Sequence, residues 1–341
     1  MWLAKRILVF VGVVAGLLLL AYAVLTQPLV QPTSSKAPPI DVDKLRSHVR
    51  MLSEQLYPRS FDQRQTLDAA ASYVHAQLAT TGAAVEDQVF TVNGETYRNV
   101  IARFGPQDGP VLVIGAHYDS DGDQARGASF PLGYDLSTHT PGADDNASGV
   151  AGLLELARLL SRAPPRVGVE LVAFTLEEEP NFQTETMGSV QHARHVRASG
   201  RKVEVMISLE MIGYFSDEQR SQSFPFPVLG FIYPSRGDFI AIVGRVQDWS
   251  ATRKVKAGML GASDLPVYSI NASSIVPGID FSDHGSYWDQ GFPALMITDT
   301  AFYRNPNYHQ AGDVARTLDY GRMAKVVQGV FGVIQSYAPA H

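Results

Sequence analysis

Cysteine is absent from all 341 residues. That removes disulfides, thiolate metal ligands and a cysteine nucleophile together. Charge is sparse as well: Asp, Glu, Lys and Arg make up 18% of the chain, and 28 basic residues face 34 acidic ones for a formal net charge of -6. A nucleic-acid partner normally needs a basic face, so this balance argues against one. With no thiol available, any metal must be held by His, Asp and Glu, and only nine histidines are present to choose from. Hydrophobic residues at 45% are those of a folded globular protein. The length allows one large α/β domain or two modest ones.

A long uncharged run occurs at the N-terminus. After Lys5 and Arg6 comes ILVFVGVVAGLLLLAYAVL, residues 7 to 25, about the length that spans a bilayer as a helix. The run is long for the apolar core of a secretory signal, which favours a retained anchor over residues 1–27. The small residues of AYA at 21 to 23 make a cleaved signal peptide, and hence secretion, the alternative. Either reading keeps the two positive charges cytoplasmic and sends the rest of the chain across the membrane. Residues 28–39, rich in Pro, Ser and Thr and without periodicity, read as an extended tether. A single domain over 40–341 follows.

Within that domain, helical periodicity runs over roughly 42–56 and 62–81. Strand signals follow in AVEDQVFTV, RNVIARF and the wholly apolar VLVIGAH, residues 111 to 117. A continuous apolar strand suggests a sheet covered on both faces. Further on, NASGVAGLLELARLLSR reads as a helix, VGVELVAFTL as a buried strand, TETMGSVQHARHVRAS as a helix, KVEVMISLEMIGYF and FPALMITD as strands, and 317–337 as a closing helix. Strands and helices alternate, so the class is α/β, with a mixed, mostly parallel central sheet flanked by helices on both faces. Residues 120–141 and 214–237 are longer than ordinary connections and are the candidate binding loops.

In an open α/β sheet, ligands bind beyond the carboxyl ends of the strands, so the residues just after each apolar run carry the information. After VLVIGA stands His117, with Asp119 two residues on. Beyond VELVAFTL come Glu177, Glu178 and Glu179; VMISL leads to Glu210; ALMITD leads toward His309. The turn PGADDNASG sets Asp144 and Asp145 ahead of a helix. An unpaired buried carboxylate is costly, so Glu210 at an apolar strand end wants a cation. His75, His139, His192 and His195 lack such company. His75, His192 and His195 read as helix-surface residues and His139 as a loop residue. Two histidines and three carboxylates, all nitrogen and oxygen donors, suit two zinc ions that together bring +4 against about -3.

The segments GAHYDS, PGADDNASG, FTLEEE with MGS, ISLEMIG, SDHGSYWDQGFPALMITDT and NYHQAGD occur in the order and approximate spacing of the co-catalytic di-zinc aminopeptidases. The chain thus resembles the family of the bacterial leucyl aminopeptidases over roughly residues 95 to 335. The resemblance implies a zinc exopeptidase domain acting on peptide substrates. His117, Asp144, Glu178, Glu210 and His309 would be the ligands of two zinc ions, with Asp144 bridging them and a cis peptide between the two aspartates. It implies Glu177 as the general base on the bridging hydroxide's water. Asp119 would orient His117, and Tyr303 would help to hold the oxyanion. Ser282, Asp283 and His284 would support the site, while Glu179 has no role in the pattern. Glu210 departs from it, since many relatives have Asp there. Alternatives of the same fold are a glutaminyl cyclase, which generally lacks the first histidine, a carboxypeptidase, and a non-catalytic extracellular binding domain, which would lose ligands that this chain keeps.

Overall fold

The seven apolar residues 111–117 form the strand that organises the molecule. Alternate side chains leave the two faces of a strand, and here both faces are dry: Leu112, Ile114 and Ala116 enter one hydrophobic cluster, Val111 and Val113 another. In the computed structural model, residues 2–123 and 139–337 are described. The helices are α1 (Trp2–Thr26), α2 (Val42–Arg50), α3 (Arg64–Ala79), α4 (Gly149–Arg162), α5 (Gly188–Ala198), α6 (Trp249–Ala262), α7 (His284–Asp289) and α8 (Tyr320–Ser336). The strands are β1 (Ala84–Val92), β2 (Glu95–Phe104), β3 (Val111–His117), β4 (Gly168–Phe174), β5 (Val203–Glu210), β6 (Ile240–Arg245), β7 (Val267–Ala272) and β8 (Ala294–Thr298).

The eight strands form one sheet in the order β1-β2-β4-β3-β5-β8-β6-β7. β4, β3, β5 and β8 run parallel, β6 and β7 are parallel to each other, and antiparallel pairings join β1 to β2, β2 to β4 and β6 to β8. The larger core lies under α2, α3, α4, α6 and α8; the smaller one lies on the opposite face, under α5 and α7. The fold class read from the sequence is the one observed. Caps fix two of the helix starts: Asp41 accepts from the Lys44 N–H ahead of α2, and Asp319 accepts from the Arg322 N–H ahead of α8.

Three differences from the sequence reading stand out. The reading assigns no elements between 238 and 291, where the structure has β6, α6, β7 and α7. Residues 28–39 have no regular secondary structure, but they are not a loose tether. Thr33 N–H donates to the Ala257 carbonyl at 2.8 Å, and Ser35 N–H to the Gly261 carbonyl at 3.3 Å, so the segment lies along α6. A Cβ at Gly261 would collide with the Thr33 backbone, which is why the close approach needs glycine there. His192, read as a surface residue, is buried and has its Nε2 3.5 Å from Glu170. The long connection 120–141 falls mostly outside the described residues.

Candidate metal centre

Four parallel strands end along one edge, and each delivers a polar side chain there. β3 ends on His117, β5 ends on Glu210, the residues after β4 supply Glu177 and Glu178, and the chain after β8 returns with His309. Local backbone strain aims several of them. Leu176 (φ 60), Met211 (φ 50) and His309 (φ 52) hold left-handed conformations that non-glycine residues rarely adopt. Leu176 precedes Glu177 and Met211 follows Glu210. Such strain concentrated at one place is characteristic of functional sites.

Distances define two groups sharing one carboxylate. Asp145 Oδ1 is 3.3 Å from His117 Nε2, and Asp145 Oδ2 is 3.0 Å from His309 Nε2. Glu210 Oε2 lies 3.4 Å from His117 Nε2, and Glu178 Oε2 lies 3.3 Å from His309 Nε2. His117, Asp145 and Glu210 thus form one set of donors, and Asp145, Glu178 and His309 a second, each with its atoms within 4.8 Å of one another and all buried. Glu177 Oε2 stands 3.8 Å from His117 Nε2 and belongs to neither set.

Asp144, expected from the resemblance to bridge, is turned away. Its Oδ1 accepts from Gly213 N–H at 2.9 Å and its Oδ2 from Asn305 Nδ2 at 2.8 Å. The bridging position falls to its neighbour because the turn is clamped from several sides. Asp313 accepts from the N–H groups of both Asp144 and Asp145, at 2.8 and 3.1 Å. Asn146 Oδ1 accepts from Gly149 and Met211 N–H while its Nδ2 donates to the Leu209 carbonyl. The cis peptide likewise lies one residue on, between Asp145 and Asn146. Gly142, at φ 65, starts the turn, and a Cβ there would collide with the Asp145 carbonyl. Beneath it the fully buried Arg59 guanidinium donates to the carbonyls of Leu52, Tyr118, Pro141 and Gly142, joining the end of β3 to this turn. Arg59 and Asp313 were not assigned roles from the sequence; an arginine among loop residues has no local signature of such a clamp.

The other expected residues divide. Nearest to His117 Nδ1 is the backbone carbonyl of Asp119, at 3.2 Å, ahead of its carboxylate at 3.7 Å. That carboxylate instead accepts from Glu178 N–H at 3.0 Å. The Tyr303 hydroxyl donates to the Pro277 carbonyl at 3.2 Å. Tyr308, overlooked in the sequence, stacks on the His309 ring with centroids 3.9 Å apart. Ser282 donates to Glu210 Oε2 at 2.7 Å, and His284 is buried against Trp288. Glu179 is exposed.

Electrostatics follow from packing four carboxylates with two imidazoles out of water. Burial, then repulsion from Asp145, pushes Glu178 up to about 7. Burial, outweighing the attraction of His117, lifts Glu177 well above the carboxylate range. For Asp145 burial also acts upward, but the two histidines prevail and hold it below its ordinary value. Burial lowers His117, yet Glu210 and Glu177 outweigh it and raise the imidazole well above 6.5. The cluster is short of positive charge, which is the condition a divalent cation relieves. Glu178 Oε1 is buried with no hydrogen-bond partner among the described residues. Donor separations of 3.0–3.4 Å match the edge of about 3.4 Å expected between ligands of a tetrahedral zinc at roughly 2.1 Å. The residues present fit zinc.

Beside Glu210 and Tyr308 opens an apolar pocket lined by Phe224, Leu229, Tyr233, Val243, Ile279 and Met296, among others. Part of its wall comes from residues 214–237, one of the two stretches marked as binding loops.

Comparison with known proteins places the chain in a family. Residues 99–334 match the model of Peptidase family M28. The chain is 46% identical over 327 residues to the uncharacterized protein YfbL of Escherichia coli K12, covering 96% of this chain and 98% of that protein. It is 25% identical over 244 residues to a probable leucine aminopeptidase of Arthroderma otae, covering 69% of this chain and 56% of that protein. The chain therefore spans about half the length of the fungal relatives it matches. A leucine aminopeptidase precursor of Bacteroides thetaiotaomicron superposes with a TM-score of 0.65 at 20% identity, over 91% of this chain and 100% of that one. A glutaminyl cyclase from the same organism gives a TM-score of 0.65 at 20% identity, over 89% and 100%. At that level of identity the likeness is one of fold.

Proposed function

The chain belongs to peptidase family M28, and from that premise we propose that it is a membrane-anchored zinc aminopeptidase removing N-terminal residues from peptides. In this reading two zinc ions would be held per chain, one by His117, Asp145 and Glu210, the other by Asp145, Glu178 and His309. The single observation that carries it is the reach of Asp145, whose two oxygens face one histidine each. Zinc bound there supplies a water acidic enough to attack at neutral pH and a charge that polarises the scissile carbonyl.

The chain's own groups perform the rest. Glu177 is the general base: it takes the proton of the attacking water and returns it to the leaving amine. Its burial supports that role, because it raises the carboxyl well above the ordinary range and so lets it hold the proton it must return. The backbone carbonyl of Asp119 accepts from the Nδ1–H of His117 and so would leave the Nε2 lone pair available to zinc. Glu178 N–H, held by the Asp119 carboxylate, fixes the second donor set relative to the first. The pocket beside Glu210 supports an apolar side chain on the residue released.

Two groups of fold neighbours, peptidases and glutaminyl cyclases, superpose equally well, so the fold does not choose between them. His117 in position beside Asp145 favours the peptidase. For location, α1 has one apolar stretch over Lys5–Thr26 long enough to cross a membrane. Burial of Gln27 and the grip of Lys256 on the Thr26 and Gln27 carbonyls support a helix retained with the domain. Lys5 and Arg6 then lie on the cytoplasmic side and the catalytic domain on the other.

A panel of peptides with free and acetylated N-termini, incubated with the full chain and added zinc, tests the activity. Release of N-terminal residues from the free peptides alone is expected. Cleavage of blocked peptides alone would contradict an aminopeptidase, and cyclisation of N-terminal glutamine without hydrolysis would identify a cyclase.

A further inference from the structure

The turn Phe226–Ile232, FPVLGFI in the sequence, presents apolar side chains to the outside rather than to the core. Phe231 is 91% exposed, Val228 60%, Phe226 43% and Ile232 38%. Monomeric surfaces seldom carry such a contiguous patch without a use for it. The inner side of the same segment is occupied: Phe224, Leu229 and Tyr233 line the apolar pocket that reaches Glu210. Among the described residues no element covers its outer side.

What lies beside it identifies the occupant. The Tyr233 hydroxyl donates to the Ser269 carbonyl at 2.7 Å, and the Ser269 hydroxyl donates to the Thr26 carbonyl at 2.8 Å. The end of the turn and the end of α1 therefore meet on one residue of β7. Lys256 Nζ donates to the Thr26 and Gln27 carbonyls at 3.1 and 3.0 Å, and Gln27 Nε2 donates to Asn271 Oδ1 at 2.8 Å. No spacer separates the apolar helix from the domain. From Lys5 to Thr26 the helix rises about 33 Å, close to the thickness of a hydrocarbon core, so β7 is brought to the bilayer surface as soon as the helix leaves it. Burial raises the Tyr233 hydroxyl, and Tyr22, exposed near the end of α1, is close enough to raise it further through its charge. Leu29, 80% exposed, lies just beyond the helix. Aromatic and aliphatic side chains at this level are those that partition into the interface.

We propose that the Phe226–Ile232 turn is a second membrane contact, entering the bilayer interface beside α1 and seating the pocket of the metal centre against the lipid surface. This rests on the reading of α1 as a membrane anchor. The occupant is a lipid bilayer because the exposed turn continues from the end of a helix whose own apolar side chains, such as Leu8, Phe10 and Leu17, are outward. The domain is thereby held at two points instead of turning freely about one helix, and the pocket faces substrates at the membrane surface.

The absence of cysteine makes the test clean. Single substitutions F231C, L19C and V89C in the full chain each receive an environment-sensitive nitrobenzoxadiazole label. The proteins are then reconstituted in phosphatidylcholine–phosphatidylglycerol vesicles with or without nitroxide on the acyl chains. Val89 is 61% exposed but lies on β1, at the opposite edge of the sheet from β7, about 34 Å away at the usual strand spacing. Labels at 231 and 19 are expected to shift to the blue and lose at least half their emission to the nitroxide, with the label at 89 unchanged. If 19 is quenched while 231 behaves like 89, the second contact is overturned and the anchor stands. A label at 231 that is shifted but not quenched points to a protein partner and overturns the proposal equally. If 19 is not quenched, the anchor reading falls and this inference with it.

Discussion

Asp144 and Asp145 carry the same functional group on successive residues, yet they occupy opposite sides of one turn. The carboxylate of Asp144 satisfies Gly213 N–H and Asn305, while that of Asp145 faces both histidines. Two substitutions separate the assignments. D145N should strip zinc from both positions and lower turnover by roughly 10³-fold or more, whereas D144N should keep most of its zinc and lose about 1–3 kcal/mol of stability from the hydrogen bonds it breaks. Elemental analysis and denaturant melts read the two outcomes; metal loss in D144N with metal retained in D145N would restore the original assignment. The paired glutamates divide similarly. E177Q should bind zinc normally and turn over about 10²–10⁴ times more slowly, while E178Q should lose one zinc. Equal metal content and equal activity in both variants would remove Glu177 from its role. At this scale the sequence was informative about residue types and strand ends, and the structure places His117, Glu178, Glu210 and His309 in one cluster. It could not separate two adjacent aspartates, because the choice depends on clamps from Asp313 and Asn146 that fold in from distant segments.

Among the elements, the parallel strands were the most legible, since VLVIGAH and VELVAF are buried on both faces and leave little ambiguity of period. α6 was not, for a reason visible in its packing: Thr252 and Lys256 belong to its buried side, so no uninterrupted apolar stripe appears in the sequence. Lys256 is there to hold the last carbonyls of α1, and burial brings its amine down to about 8. Two glycines carry element-level predictions. G142A forces a side chain into the Asp145 carbonyl, so the folded protein should bind zinc roughly 10–100-fold more weakly, as when supports of metal ligands are disturbed. An unchanged affinity by metal titration would show that the turn tolerates the shift. G261V should lift residues 28–39 from α6 and make them a site of proteolytic nicking, with turnover of a soluble peptide unaffected. Full protease resistance in G261V would show that the segment is held by something other than its contact with α6.

Across the whole molecule, the sheet is braced by charge as well as by its two cores. Glu170 is buried in β4, with Arg103 Nε at 2.8 Å and Arg201 Nη1 at 2.6 Å. Burial acts to raise its carboxyl, but His192, Arg103 and Arg201 together hold it at about 2 against an ordinary 4.5. A carboxylate whose folded value lies below its unfolded one stabilises the fold above the unfolded value and loses that contribution as pH falls toward the folded one. E170Q should therefore be less stable than the parent by about 3 kcal/mol at pH 7. The difference should shrink between pH 4.5 and 2, as measured by paired denaturant melts; a constant difference would mean that packing rather than charge is lost. The N-terminal helix, the edge strand β7 and the apolar pocket are also contiguous, since Ser269 of β7 donates to the Thr26 carbonyl and lines the pocket that reaches Glu210.

The central claim is that Asp145 joins two zinc positions. Crystals of the zinc-loaded full chain, measured above and below the zinc absorption edge, give an anomalous difference map that tests it. Two peaks are predicted, one beside His117 and Glu210 and one beside Glu178 and His309, with the Asp145 carboxylate between them; a single peak, or a pair bridged by Asp144, would contradict it.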